Sequence, residues 1–135
     1  MFSQATILID RDPGIVYSAL ADLKRQMALW DNITVADLDG LENGVSQVNG
    51  VYRLGRKAIP CIVELHLTRP GAGLVTRMQT ASGELAAEWR IMEEGDRTRV
   101  EVNIEGIGGG PASNINIRHL APKLLARLKL QFDRS

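Results

Sequence analysis

Through residues 48–54, 58–68, 74–80, 84–93 and 98–105 apolar and polar side chains alternate, and each run passes to the next through a short glycine-bearing connection. Alternation is the period of a strand with one buried face, and connections such as Gly55-Arg56-Lys57, Pro70-Gly71-Ala72-Gly73, Ser82-Gly83 and Glu94-Gly95-Asp96 are too short for parallel crossovers. The chain is therefore committed to an antiparallel meander. Parity then assigns the faces. Ile59, Cys61, Val63, Leu65 and Leu67 fall on one side, with Leu74, Thr76 and Met78, then Leu85, Ala87, Trp89 and Ile91, and last Thr98, Val100, Val102 and Ile104. Glu64, His66, Arg77, Glu88, Arg90, Arg99 and Glu101 fall on the other, so one face is dry and one wet.

The flanks supply what covers the dry face. Residues 2–9 alternate through Ala5, Ile7 and Ile9 and read as a first strand. Asp12 is placed to cap a helix that starts with Pro13 and carries Ile15, Val16, Ala19, Leu20 and Leu23 on one face, and a second short helix is expected over 24–30. Residues 34–39 read as a short strand and 40–44 as a loop. Gly106 to Pro111 reads as a hinge, after which Ile117, Leu120, Ala121, Leu124, Leu128 and Phe132 form a helical apolar stripe in which Pro122 either kinks the helix, the preferred expectation, or marks the first turn of a second one if the stretch before it is irregular. This stripe is the one unmatched apolar surface able to cover the sheet. The expected architecture is α+β: a curved seven-stranded antiparallel sheet, two short helices after the first strand, and a long C-terminal helix across the concave face. A chain of 135 residues suits one domain, 1–135.

Composition narrows the function classes. With 16 basic and 16 acidic residues the net charge is zero, which disfavours a nucleic-acid partner. Cys61 is the single cysteine and can form no internal disulfide, and Asp10, Arg11 and Asp12 interrupt any leader-like apolar stretch, so a cytoplasmic location is expected. No apolar run approaches the ~18 residues needed to span a bilayer. Asn32-Ile33-Thr34 matches a glycosylation acceptor, which in such a location reads as a chance match.

Ile9-Asp10-Arg11-Asp12-Pro13 leading to Val16-Tyr17, then Asp22-Leu23, Trp30-Asp31, and later Trp89-Arg90-Ile91 with Gly95 and Thr98-Arg99-Val100 are landmarks that carry a family likeness. Over essentially its whole length the chain resembles the helix-grip fold of the SRPBCC superfamily: START domains, birch-pollen-allergen-like (Bet v 1-like) proteins and the polyketide cyclase/dehydrase group. The apolar terminal helix is also similar to that of the carbon monoxide dehydrogenase-related group in the same superfamily. The resemblance implies a cavity between sheet and last helix that binds lipids, polyketides, isoprenoids or other hydrophobic molecules.

Residues with chemical potential are few. Glu64 and His66 share the wet face and read as a solvated strand surface, while Cys61 points the other way, so no Cys–His dyad forms. Two histidines and one cysteine without close spacing give no zinc site, and no cofactor motif is present. His119 can reach a cavity mouth or lie in water. No catalytic residue is assigned. The expected ligand-binding surface comprises Tyr52, Cys61, Val63 and Leu65 on the earlier strands, Thr76, Met78, Trp89, Ile91 and Val102 on the later ones, and Leu120, Leu124 and Leu128 on the helix. Tyr52, Thr76 and Thr98 would orient a bound small hydrophobic molecule. The rival expectation is a cyclase or dehydratase acting in the same cavity. Arg118, Lys123, Arg127, Lys129 and Arg134 make the terminal segment basic; complementing the helix dipole explains this, and contact with an anionic membrane is a further expectation.

Overall fold

The computed structural model describes residues 2–42, 44–109 and 115–133. In chain order it contains β1 (Phe2–Ile9), α1 (Pro13–Ala21), α2 (Leu23–Met27), β2 (Ile33–Thr34), β3 (Gln47–Leu54), β4 (Lys57–Arg69), β5 (Gly73–Gln79), β6 (Gly83–Glu94), β7 (Arg97–Gly108) and α3 (Leu120–Asp133). The strands form a seven-stranded curved sheet in the order β1-β7-β6-β5-β4-β3-β2, antiparallel at every pairing. The meander is therefore real, and β1 closes it by pairing with β7 rather than with its neighbour in sequence. Gly55, Gly71 and Gly95 take positive φ at hairpin ends, where an L side chain would be strained.

Parity is met along most of the dry face. Val63, Leu74, Ala87, Trp89, Val100, Val102 and Ile104 are fully buried, and Cys61, Leu65, Met78, Leu85 and Ile91 nearly so. Helices cover this face unevenly. α3 makes its close backbone approaches to β1 and β7, and α1 to β6 and β7. Toward β3, at the far edge of the sheet, α3 makes few close backbone approaches.

Several local expectations change. Leu67 is 58% exposed although it pairs with buried Leu74, because it lies at the sheet's end beside a register shift between Leu67 and Arg69. Of the strand expected over 34–39 only Thr34 is in one, paired with Ile33 in the two-residue β2, and Leu38–Gly40 is a 3-10 turn entered through Asp37 at φ 52. Asp12 sits at the N-cap of α1 without making a side-chain cap bond; Asp22 caps α2 instead, accepting from Lys24 N at 3.1 Å. The second helix ends at Met27 rather than near Trp30. Gly106 and Gly108 belong to β7, so the chain does not hinge there, while the Gly110-Pro111 part of that expectation lies outside the described residues. Pro122 does not kink a long helix. A 3-10 segment (Ile115–His119) precedes α3, which places Pro122 in the first turn, where a missing N–H costs nothing.

Candidate functional site

A cleft of about 620 Å3 opens where the sheet and α3 diverge, lined by Asp31, Asn32, Tyr52, Arg53, Gly55, Ile117, His119, Leu120 and Lys123. Its apolar floor comes from buried Tyr52, Ile117 and Leu120. Three pieces of chain build it. The short strand β2 fixes Asn32 through the Arg53 N–H, which donates to the Asn32 carbonyl at 2.8 Å, and β3 carries Tyr52 and Arg53. Ser3 of β1 locks the third piece: its hydroxyl donates to the Arg118 carbonyl at 2.9 Å and accepts from the Ala121 N–H at 3.1 Å. This contact caps α3 from a distant strand and seats Ile117, His119, Leu120 and Lys123 opposite Tyr52.

The polar groups of the cleft are unequally satisfied. Asn32 Nδ2 donates to the Tyr52 hydroxyl at 3.2 Å, while Asn32 Oδ1 is buried with no hydrogen-bond partner among the described residues. The Asp31 carboxylate lies 3.8 Å from Lys123 Nζ and 3.7 Å from Arg127 Nη1. Both pairs are substantially exposed, so each contributes at most about 1 kcal/mol. His119 and Arg53 are exposed on the rim.

The ligand-binding residues expected from sequence divide by depth. Tyr52 and Leu120 line the cleft. Val63, Leu65, Met78, Ile91, Val102, Leu124 and Leu128 lie in the core cluster between sheet and helices. Thr76 and Trp89 join a buried polar chain: Trp89 Nε1 donates to Thr76 Oγ1 at 3.2 Å, Thr76 Oγ1 donates to Gln26 Oε1, and Gln26 Nε2 donates to the Leu20 carbonyl at 2.7 Å. Thr98, expected to orient a ligand, instead donates to the Arg11 carbonyl at 2.6 Å. Cys61 is buried at the floor of a shallow groove beside Gly50 and Gln79, and burial pushes its thiol pKa up. Glu64 and His66 meet at 3.0 Å on the exposed outer face, away from the cleft.

Sequence reasoning missed Asn32 and Gln26. Asn32 was visible only as a glycosylation match, and its burial against Tyr52 was not encoded in any local pattern. Gln26 breaks the apolar face of a short helix, a polar intrusion that could have marked it. A second opening of about 690 Å3, between α2 and the end of α3, is ringed by Lys24, Arg25 and Arg127. It lies between helices and does not reach the sheet's inner face. Among the described residues no group of three or more His, Cys, Asp or Glu could hold a metal, and no helix is long and apolar enough to cross a membrane.

A curved antiparallel sheet gripping a C-terminal helix, with a cleft at their open seam, is a START-like helix-grip fold. A START superfamily protein from Mycobacterium smegmatis matches with a TM-score of 0.69 at 14% identity, over 98% of this chain and 97% of its own. A Deinococcus radiodurans protein matches equally, with a TM-score of 0.69 at 14% identity over 100% of this chain and 99% of its own. DynU16, from the dynemicin biosynthetic locus, matches with a TM-score of 0.61 at 13% identity, over 98% of this chain but 47% of its own. At such identities the likeness is one of fold. No family model matches the chain, and no curated protein does.

Proposed function

We propose that this protein binds a small hydrophobic molecule of lipid, polyketide or isoprenoid type, admitted at the cleft between β3 and the start of α3. The observation that carries the reading is the cleft's floor. Tyr52, Ile117 and Leu120 line this opening and are otherwise buried in the core that also holds Val63, Met78, Leu124 and Leu128. An aliphatic ligand lying on that floor gains about 25 cal/mol for each Å2 removed from water. The cleft also falls within the roughly 300–1,000 Å3 usual for small-molecule sites. Deeper occupancy needs α3 to move away from the β3–β5 side, where its backbone makes few close approaches. The likeness in fold to a START superfamily protein supports a ligand-binding role without naming the ligand. The place of action is proposed to be the cytoplasm.

Native mass spectrometry of freshly purified protein tests this: a co-purifying apolar mass, removable by organic extraction, is expected. Apo protein that responds to no lipid, polyketide or isoprenoid in a melting screen would defeat the proposal. A second reading, a cyclase or dehydratase in the same cleft, draws on the presence of His119 and Asp31 along its walls, since these add an imidazole and a carboxylate that the strand faces lack. Turnover of a bound polyketide, lost on His119→Gln, would select it.

A further inference from the structure

We propose that the cleft selects an anionic amphiphile whose head group also carries a hydroxyl, a hydroxylated long-chain carboxylate being the simplest member of the class. The proposal rests on the hydrophobic-ligand reading and adds what holds the polar end.

Charge on the rim sets the sign of the head group. Arg53 and Lys123 line the cleft, and Asp31 is its only acid among the described residues. That acid is shared between Lys123 and Arg127, at 3.8 Å and 3.7 Å, so positive charge is in surplus and Arg53 has no carboxylate partner among the described residues. A guanidinium takes a carboxylate through two parallel N–H bonds, whereas an ammonium head would meet like charge from two sides. His119, exposed on the same wall, offers a further ring N–H.

Asn32 supplies the second element. Its Oδ1 is buried in the cleft wall without a partner among the described residues, while its Nδ2 is held by the Tyr52 hydroxyl. A buried amide oxygen left unmatched is a cost that a ligand can relieve. A hydroxyl both donates and accepts, so it completes the amide whichever way its oxygen and nitrogen are assigned. Cations outside and an unmatched amide within, above a floor of Tyr52, Ile117 and Leu120, describe a ligand with an anion, an adjacent hydroxyl and an apolar tail.

The test is calorimetric titration of the intact protein with dodecanoate, its beta-hydroxylated form, dodecanol and dodecyltrimethylammonium, each below its micelle concentration and at a pH where the acids are ionised. The hydroxylated acid is expected to bind most tightly, and plain dodecanoate about tenfold more tightly than dodecanol, with that gap narrowing in added salt. Arg53→Gln and Lys123→Gln should each shrink the gap between acid and alcohol. Asn32→Leu should abolish the preference for the hydroxyl, and Arg90→Gln on the outer face should change nothing. Equal binding of all the amphiphiles, or tightest binding of the ammonium, overturns the head-group assignment and leaves the hydrophobic-ligand reading standing. Binding of none overturns this ligand class and leaves the hydrophobic-ligand reading to the melting screen, and capture on phosphatidylglycerol vesicles without response to any monomeric amphiphile would replace this ligand class with a membrane surface.

Discussion

The Thr76 hydroxyl is the pivot of the buried polar chain, accepting from Trp89 and donating to Gln26. Replacing it by Val keeps the shape and leaves the indole N–H without an acceptor, so Thr76→Val should cost about 1–3 kcal/mol in urea denaturation. Trp89 is itself 0% exposed, and Trp89→Ala should cost about 3–5 kcal/mol; a cost well below that range would mean the ring faces unfilled space. Strand parity alone turned both residues inward, but Gln26 sits 50 residues from Thr76 and its approach is a product of packing. Cys61 offers a pH test. Burial raises its pKa, with a smaller opposing contribution from a backbone hydrogen bond at Gly50. The folded thiol therefore holds its proton more tightly than the unfolded one. Its stabilisation is fully present below the unfolded pKa and is lost as pH rises through the folded value, on the alkaline side. Alkylation of Cys61 by iodoacetamide at mildly alkaline pH should run at least about tenfold slower in the native protein than in urea, because only the thiolate reacts and burial disfavours it.

Among the elements, α3 shows how a helix can depend on a strand far away in sequence. The Ser3 hydroxyl caps the Ala121 N–H from β1, while also holding the Arg118 carbonyl. Ser3→Ala should cost about 0.5–2 kcal/mol, within the range for losing a helix cap. It should also loosen the cleft wall that α3 begins, visible as faster amide exchange at Ala121. The apolar stripe of α3 was legible from its spacing, and so was Pro122's conflict with a continuous helix. Its resolution was not, because a proline is tolerated or disruptive according to where the helix starts, and a cap contributed from β1 helps set that point. The expected strand after Ile33 failed for a related reason: Asp37 takes a left-handed backbone at φ 52 and turns the chain into Leu38–Gly40.

For the whole molecule, a ligand that binds only the folded state stabilises it by mass action. A lipid or polyketide at a hundred times its dissociation constant should add about 2.7 kcal/mol, raising the melting temperature on the order of 10 °C. A flat melting profile across such compounds would count against a container of any kind. Alternation from Val48 to Glu105, short glycine connections and a terminal apolar stripe determined by themselves that this chain makes an antiparallel sheet covered by a helix. Those signals are local: period and turn chemistry are written within a few residues of each other. Which residues join Tyr52 and Leu120 around the cleft was decided by tertiary structure alone. Asp31 and Asn32 before a two-residue strand, Arg53 on the wet parity of β3, and His119 and Lys123 near the start of α3 carry no common pattern. They converge because β1 closes the sheet through β7 and Ser3 pins the helix start, and only long-range contacts can determine which distant side chains share a wall.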